Sequence, residues 1–405
     1  MLNIPAHKAI AQHWLRSGWC TPTYLMQHLP TTLQVKRSTA SPSFMYSEEK
    51  QQHLLADDPT LKTDTLIHVT PADMFQRMAN QNSQHNTACW HYFTSKLADL
   101  SSTTTNFESL ASDWAQLKVD PRLSAAVGNP EHPSLWIGGG GTTTTAHYDV
   151  MDNVFVQMHG RKKFTLWGPE AAADLHVFPD VHPRARKSQY DDIQTLRSCK
   201  APRQEITLEP GDTLHLPAFT FHQVEALDDV SLSINVFSVC RTQMHGGRVL
   251  SATLPYVDLD ASAHTGTDRG VLFRRLAERM LVIFGIDTSL ACYVKKHLLS
   301  RHRTLNGGNG VEQEDSGGSD GRGGSSVRQV AFDERSLYTL ETHWKEMHKD
   351  MVESNNYTNP LEIEGVRDIV VSHLLESFAL QLNDGNPKLV HATLETSCVT
   401  RDTHN

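Results

Sequence analysis

Short apolar segments bounded by tight turns occupy residues 130–240, and they constrain the fold more than any other feature of the sequence. Their length and apolar content are typical of β-strands. They are Ser134–Ile137, Asn153–Met158, Lys163–Trp167, Thr213–Leu216 and Ser231–Phe237. Turn-forming residues, including Gly138–Gly141, Gly160 and Pro210–Gly211, separate the segments. Such a pattern predicts an all-β barrel or sandwich.

The last segment, SLSINVF, alternates between polar and apolar residues. Because successive side chains of a strand point to opposite faces, Leu232, Ile234 and Val236 share one face. The opposite face carries Ser233 and Asn235. We therefore expect the polar face to meet solvent or a ligand.

Helical periodicity follows the strand-rich region. Residues 270–305 predict helices with a break near 285–287, and two more helices are predicted around 333–353 and 360–383. Between these groups, 12 of the 21 residues of 306–326 are Gly or Ser. Such a segment buries too little apolar surface to offset its chain entropy, so it predicts a disordered linker. We expect the tail beyond it to be separable from the barrel.

Composition excludes several classes of protein. No apolar run approaches the roughly 18 residues of a membrane-spanning helix, so no membrane association is expected. The 37 basic and 46 acidic residues leave a net charge of −9, which argues against indiscriminate binding to polyanions. The 6 cysteines include no CxxC pair, which favours a reducing compartment and no cysteine-based zinc module.

The amino-terminal composition bears on location. Residues 1–47 contain no Asp or Glu and include 4 Lys or Arg, which faintly resembles a mitochondrial targeting segment. Pro5, Pro22 and Pro30 interrupt any long amphipathic helix there. Cytosol or nucleus is therefore the expected location, ahead of mitochondrial import.

Three residues form a candidate metal-binding set. His147 and Asp149 flank Tyr148, and in extended chain residues at i and i+2 project to the same side. His222 follows much later, but distant segments of a small barrel are routinely neighbours in space. Two imidazoles and one carboxylate on one face of a metal are typical of non-haem Fe(II) oxygenases, whose open positions take a cosubstrate and O₂. A chain with 23 histidines also contains HxD triplets by chance.

Further polar residues surround this set in the sequence. Lys162 begins a predicted strand, where a buried ammonium would pair with the carboxylate of a ligand. The alternative is a solvated surface lysine beside Arg161 and Lys163. Four other groups could orient the same carboxylate, although each is more often an ordinary loop or strand residue: Thr144, Asn153, Asn235 and Tyr92.

Two stretches together resemble a known family. They are WIGGGGTTTTAHYDVMDNVFVQMHGRKKFTLWGP, at 136–169, and LEPGDTLHLPAFTFHQVEALDDVSLSINVF, at 208–237. Both are similar to the Jumonji C (JmjC) type of cupin Fe(II)/2-oxoglutarate dioxygenase. The resemblance implies a mainly β fold, a double-stranded β-helix of the cupin or jelly-roll type, with added helices and a C-terminal helical region.

The resemblance also implies site residues and cofactors. Fe(II) is expected on His147, Asp149 and His222, with 2-oxoglutarate chelating the iron and O₂ as the second cosubstrate. The far carboxylate of 2-oxoglutarate is expected on Lys162 and Thr144, with Tyr92 as a further contact and Asn153 and Asn235 nearby.

Within the family, the HYDVMDN stretch and the Q-x-x-G-x-K spacing are most similar to the branch that hydroxylates wybutosine-type bases. That resemblance implies a homodimer acting on the hypermodified base beside the anticodon of phenylalanine tRNA. Two alternatives remain: a JmjC hydroxylase or lysine demethylase acting on protein side chains, and a non-catalytic RNA-binding cupin.

Local charge is compatible with an RNA partner. Residues 270–305 hold 7 Lys or Arg against Glu278 and Asp287. Such a segment could contact phosphates, or its charges could be the solvated faces of amphipathic helices. The candidate phosphate contacts are Arg274, Arg275, Lys295, Lys296, Arg301 and Arg303.

The sequence thus divides into five expected regions. They are an N-terminal region at 1–84, a JmjC core at 85–240, a helical dimer and RNA surface at 241–305, the linker at 306–326 and a helical tail at 327–405.

Overall fold

The computed structural model describes two compact units. The described residues are 6–7, 18, 20–44, 64–81, 89–101, 133–190, 196, 200–252, 254–256, 266–302, 331–353 and 359–399. The predicted linker at 306–326 and Arg303 lie outside them. The first unit takes its described residues from Met1–Val177, Arg186–Gln243 and Asn355–Gly365, and the second from Phe178–Ala185, Met244–Ser354 and Val366–Asn405.

Two sheets make up most of the first unit. Its strands are β1 Ala6–His7, β2 Leu33–Ser38, β3 Ser43–Phe44, β4 Asp64–Val69, β5 Trp90–Lys96, β6 Ser134–Gly139, β7 Thr143–Tyr148, β8 Asp152–His159, β9 Lys162–Trp167, β10 Arg203–Leu208, β11 Thr213–Leu216, β12 Phe221–Ala226 and β13 Val230–Ser238. The larger sheet has the order β1-β11-β8-β13-β6-β5-β2-β4, and the smaller has the order β10-β9-β12-β7-β3. Apart from the parallel pair β3 and β7, the paired strands are antiparallel. The fold is a cupin or jelly-roll type core with added helices, as predicted.

Strand β13 shows how the larger sheet is packed. Leu232, Ile234 and Val236 are buried in a core cluster that they share with β6 and β8. Ser233 and Asn235 point to the other face of the strand, and Asn235 lines a pocket there. The alternation seen in SLSINVF is therefore confirmed, because one face of the strand enters the core and the other faces a cavity.

The amino-terminal residues are part of the same sheet rather than a lead-in to it. β2 pairs with β5, and β5 pairs with β6 inside the region predicted as the core. The helices α1 Pro22–His28, α2 Pro71–Asn80 and α3 Leu97–Ser101 accompany these strands. The expected boundary at residue 84 therefore falls between strands of one sheet, because β2 and β4 precede it and β5 follows it.

Helices make up most of the second unit. Those in or entering it are α4 Arg241–Ser251, α5 Gly266–Ile283, α6 Leu290–Tyr293, a π-helical turn Val294–Leu299, α7 Ser300–His302, α8 Glu334–Val352, α9 Pro360–Leu382 and α10 Val390–Ser397. The two helices predicted at 333–353 and 360–383 are confirmed to within one residue at each end. None of the described helices combines the length and the hydropathy that a membrane-spanning helix requires.

Residues on both sides of the predicted linker pack together within this second unit. Arg279 of α5 binds Glu341 of α8 at 2.8 Å, and Gly270 of α5 lies against Thr396 of α10. The helices at 266–302 and at 331–399 therefore share one core, whereas the sequence divided them into two regions. Helix packing of this kind joins residues far apart in sequence, which local patterns do not record.

Candidate metal centre

Two neighbouring strands bring the candidate histidines together. β7 carries His147 and β12 carries His222, and the two residues are direct partners in the antiparallel register. Their ring centroids are 4.2 Å apart. Asp149 follows β7 immediately, and its Oδ2 lies 3.7 Å from Nε2 of His222. One ligand atom from each of the three residues lies within 4.8 Å of the others, a spacing compatible with one shared ion.

Backbone contacts orient both imidazoles. Nδ1 of His147 lies 2.7 Å from the carbonyl oxygen of Thr145, and Nδ1 of His222 lies 3.1 Å from that of Thr220. Since a carbonyl oxygen only accepts, each Nδ1 carries the hydrogen and each Nε2 keeps its lone pair. This tautomer is the one that a metal-binding histidine needs when Nε2 is the ligand.

The protonation states suit a metal. Burial, followed by the effect of the neighbouring His222, lowers the pKa of His147 to about 3, so its ring is neutral at neutral pH. Burial alone would raise the pKa of Asp149, but His222 and His147, together with a hydrogen bond from Asn153, hold it below the usual range. The pair therefore offers a neutral nitrogen and an ionised carboxylate.

A chain of hydrogen bonds runs from the larger sheet to the carboxylate of Asp149. Nε1 of Trp136 donates to Oδ1 of Asn235 at 2.6 Å, and Nδ2 of Asn235 donates to Oδ1 of Asn153 at 3.2 Å. Nδ2 of Asn153 then donates to Oδ2 of Asp149 at 3.2 Å. Asn153 and Asn235, predicted near the cosubstrate, thus also hold a candidate metal ligand in place.

Lys162 is buried in the same cavity. Its side chain is only 3% exposed, and Nζ donates to Oγ of Ser233 at 2.5 Å. Burial lowers the pKa of Lys162 to about 7. The neighbouring Lys163 points the other way and binds Glu225 at 2.7 Å near the surface. The ammonium of Lys162 is therefore placed to meet a carboxylate inside the barrel, and that of Lys163 is not.

One pocket gathers the whole predicted constellation. Its lining residues include every predicted metal and cosubstrate contact: His147, Asp149, His222, Lys162, Thr144, Tyr92, Asn153 and Asn235. Burial raises the pKa of Tyr92, so its phenol stays protonated and can donate a hydrogen bond. The Thr144 hydroxyl accepts a bond from the backbone of Val224 at 3.3 Å, which leaves its own hydrogen for another partner.

Several pocket residues were not predicted from the sequence. Trp136, Phe155, Val224 and Phe237 complete the lining. Ser233, the partner of Lys162, had been assigned only to the polar face of β13. The polar face of β13 was the sequence signal that could have identified Ser233 as a pocket residue. Its contact with Lys162 joins residues 71 positions apart, which no local pattern indicates.

The predicted phosphate contacts have different surroundings. Lys295 and Lys296 are exposed on the π-helical turn. Arg274 binds Glu278 and the carbonyl oxygen of Val399, and Arg275 lies over the ring of Phe332. Arg301 is mostly buried, with its guanidinium 2.7 Å from Glu376 and 3.3 Å from Asp180. That arrangement leaves Arg301 little surface for a phosphate.

Comparison with known proteins agrees with the fold. A family profile described as "Cupin-like domain" matches residues 7–238, a range that begins well before the predicted core at 85. The chain is 38% identical over 107 residues to tRNA wybutosine-synthesizing protein 5 of Danio rerio, which is 25% of this chain and 31% of that protein. It is 35% identical over 116 residues to HSPB1-associated protein 1 of Mus musculus, covering 26% and 24%.

A third relative matches a longer stretch. The chain is 30% identical over 132 residues to tRNA wybutosine-synthesizing protein 4 of Gibberella zeae, which is 32% of this chain and 13% of that protein. The aligned part thus spans at most 31% of these curated relatives.

Proposed function

The chain belongs to the cupin-like domain family, and we propose from that premise that it is an Fe(II)- and 2-oxoglutarate-dependent oxygenase. One observation carries the proposal. His147, Asp149 and His222 line a single pocket together with the buried Lys162. A metal set and a buried ammonium in one cavity match the two ends of 2-oxoglutarate, which chelates at its keto acid and carries a free carboxylate.

The donor set fits Fe(II). Nε2 of His147, Nε2 of His222 and the carboxylate of Asp149 would hold the ion, leaving its other positions to ligands. When bound, iron and 2-oxoglutarate would supply, with O₂, the oxidation of a C–H bond of the substrate to C–OH. The 2-oxoglutarate would be released as succinate and CO₂. Asn153 and Asn235 position Asp149, as the hydrogen-bond chain indicates.

Lys162 would bind the far carboxylate of 2-oxoglutarate. Burial removes the ammonium of Lys162 from water, and the single hydrogen bond to Ser233 replaces only part of that hydration. A carboxylate beside Nζ would supply the remaining favourable interaction. Thr144 and Tyr92 can donate hydrogen bonds into the same cavity. Phe155 and Phe237 line it with apolar surface that limits access of water.

For the substrate, we propose a wybutosine-type base of phenylalanine tRNA. Two of the similar proteins carry the name of tRNA wybutosine synthesis. Lys295 and Lys296 are exposed and adjacent, so they can contact phosphates. A homodimer in the cytosol or nucleus remains the prediction for the assembly and its location.

Mass spectrometry of nucleosides tests the substrate. The full chain, Fe(II) and 2-oxoglutarate would be incubated with phenylalanine tRNA carrying the unhydroxylated base, and we expect a product with one added oxygen. The His147→Ala variant is the negative control. Product from this variant would contradict the assignment of His147 as a metal ligand. No product from the wild type, while it consumes 2-oxoglutarate with another substrate, would contradict the tRNA assignment.

Binding of tRNA tests the basic residues separately. The double variant Lys295→Glu with Lys296→Glu should bind tRNA more weakly. Its tRNA affinity should also depend less on salt concentration, because fewer phosphate contacts release fewer counterions. Lys345→Glu with Lys349→Glu makes the same charge change at exposed positions of α8 and serves as the matched control. Equal losses in both pairs would indicate a general charge effect rather than a contact.

A protein substrate is the second candidate. HSPB1-associated protein 1, whose name refers to a protein and not to tRNA, matches at 35% identity over a similar share of this chain, so sequence similarity alone does not favour RNA. The same reaction run on a protein lysate distinguishes the two. A protein that gains an oxygen, or loses a lysine methyl group, while tRNA stays unchanged would replace the tRNA substrate by a side chain and keep the oxygenase.

A further inference from the structure

A second group of metal-binding side chains lies in the helical unit. His245 projects from α4, and His343, Glu346 and Asp350 project from α8. Residues three, four and seven positions apart share one face of a helix, so the α8 residues form a single row. All four belong to the second unit, whereas the pocket described above belongs to the first.

Two ring nitrogens converge on one carboxylate oxygen. Oε2 of Glu346 lies 3.6 Å from Nδ1 of His245 and 3.5 Å from Nδ1 of His343. The three groups offer ligand atoms that lie within 4.8 Å of one another. Both Nδ1 atoms are buried and have no hydrogen-bond partner in the part of the chain that the structure describes.

These separations suit a shared ion better than direct hydrogen bonds. Both distances from Oε2 of Glu346 are at or beyond the limit for an N–H···O hydrogen bond, so Glu346 forms no such bond with either Nδ1. Ligands at about 2.0–2.1 Å from a tetrahedral zinc ion lie about 3.4 Å apart, which is close to both distances. Glu346 is half exposed, so its carboxylate can adjust to an ion.

Asp350 fixes the tautomer of His245. Nε2 of His245 lies 3.0 Å from Oδ2 of Asp350, and an ionised carboxylate only accepts. Nε2 therefore carries the hydrogen, and in the neutral ring Nδ1 keeps its lone pair toward Glu346 and His343. A carboxylate that holds the far nitrogen of a histidine is the usual support of a metal-binding imidazole.

We propose that His245, His343 and Glu346 bind a divalent transition-metal ion, with Zn²⁺ as the preferred ion and Asp350 as the residue that orients His245. Two imidazoles and one carboxylate are a donor set that zinc takes, with water in the fourth position. Bound metal would link α4 to α8. The alternative is a set of ion pairs between protonated histidines and the two carboxylates, and it predicts no metal affinity.

Metal titration of the untagged full chain tests the site. His147→Ala with His222→Ala removes two ligands of the first candidate centre, so the proposal does not depend on the oxygenase assignment. In this background we expect one Zn²⁺ per chain by calorimetry. Co²⁺ should give the visible absorption of a four-coordinate ion, and added Zn²⁺ should raise the melting temperature.

Variants identify the ligands. Glu346→Gln and His343→Ala should each lower Zn²⁺ affinity at least about tenfold, and Asp350→Asn about 10–100-fold. His348→Ala, on the same helix but outside the cluster, should keep full affinity. Glu346→Gln is conservative and half exposed, so it tests the site even if a histidine variant fails to fold. Absence of Zn²⁺ binding in the background chain, or equal affinity in the Glu346 and His348 variants, would overturn the proposal.

Discussion

Lys162 and Lys163 are adjacent lysines with opposite environments. Lys162 is buried on Ser233, whereas Lys163 binds Glu225 near the surface. Because a strand turns successive side chains to opposite faces, a shift of one residue would exchange the two roles. The sequence left open whether Lys162 is buried or solvated beside Arg161 and Lys163, and the family resemblance implied that Lys162 meets the carboxylate.

Replacing each lysine separately tests this assignment. Lys162→Ala should raise the concentration of 2-oxoglutarate needed for half-maximal turnover about 10–100-fold, because a hydrogen bond to a charged group contributes about 1.5–3 kcal/mol. The requirement for Fe(II) should change little. Steady-state kinetics measures both variants, with Lys163→Ala as the control. A raised 2-oxoglutarate requirement in Lys163→Ala but not in Lys162→Ala would contradict the register of β9.

The affinity for 2-oxoglutarate should depend on pH through the same residue. Burial lowers the pKa of Lys162 to about 7, so the free protein loses this charge as the pH rises through that value. A bound carboxylate favours the ammonium and raises its pKa, so binding at higher pH takes up a proton. Affinity should therefore fall as the pH rises above about 7, by up to about tenfold per pH unit.

Calorimetry between about pH 7 and about pH 9 measures this effect. Lys162→Met, which keeps the length of the side chain without its charge, should bind 2-oxoglutarate weakly at every pH. A wild-type affinity that stays constant over the range would exclude Lys162 as the titrating contact.

Residue types and short spacings were the predictable part of the candidate site. His147 and Asp149 lie two positions apart, and Lys162 begins the next strand but one. The hydrogen bonds that support them were not predictable, because Asn235 reaches Asn153 across 82 positions. Such contacts depend on which strands become neighbours, and strand pairing is decided by the whole sheet.

The turn between β8 and β9 shows how one element sets the position of Lys162. Nε2 of the buried Gln157 donates to the carbonyl oxygens of His159 and Gly160, each at 2.8 Å, and to Oγ of Ser231 at 3.0 Å. Gly160 has a φ of +60°, and a Cβ there would overlap the carbonyl oxygen of Val230. The Q-x-x-G-x-K spacing therefore specifies a turn that is held by hydrogen bonds and is followed directly by Lys162.

Gly160→Ala should destabilise this turn strongly. The left-handed conformation alone costs a residue with a Cβ about 1–2 kcal/mol, and the overlap with Val230 adds to that. Gly141→Ala is the matched control, since φ is +79° there but the nearest atom to a Cβ is 4.0 Å away. Thermal unfolding should show a clearly larger fall for Gly160→Ala, and equal falls would contradict the role of the overlap.

Strands with clear alternation were predictable as elements, and their partners were not. β13 and β8 were predicted to within one residue at each end. No strand was predicted at the position of β12, although it carries His222. β10 alternates exposed with partly buried residues and lies at a sheet edge, so it lacked the apolar signal of a central strand.

The tail beyond the predicted linker takes part in both compact units. Its helix α9 begins in the first unit, where Gly365 lies against the backbone of Pro169 and Glu170. Its helices α8 and α10 pack on α5 in the second unit, and α5 buries Phe273 and Met280. The sequence predicts a separable tail, whereas these contacts lead us to expect that loss of the tail destabilises both units.

Truncation tests the role of the tail. A chain that ends at residue 305 should lose cooperative thermal unfolding of the second unit and aggregate, because the apolar face of α5 would be exposed to water. A chain that ends at Val399 keeps all the helices that the structure describes and serves as the control. If calorimetry showed that the chain ending at residue 305 unfolds at the same temperature as the control, the tail would be dispensable.

For the whole molecule, we propose that His147, Asp149 and His222 form the iron site of a 2-oxoglutarate oxygenase. The most direct measurement is succinate release by the full chain supplied with Fe(II), 2-oxoglutarate and O₂, with bound iron determined in the same samples. We expect succinate from the wild type and from Lys163→Ala, and neither succinate nor retained iron from His147→Ala or Asp149→Ala. Full turnover by either ligand variant, or no succinate from iron-loaded wild type, would contradict the claim.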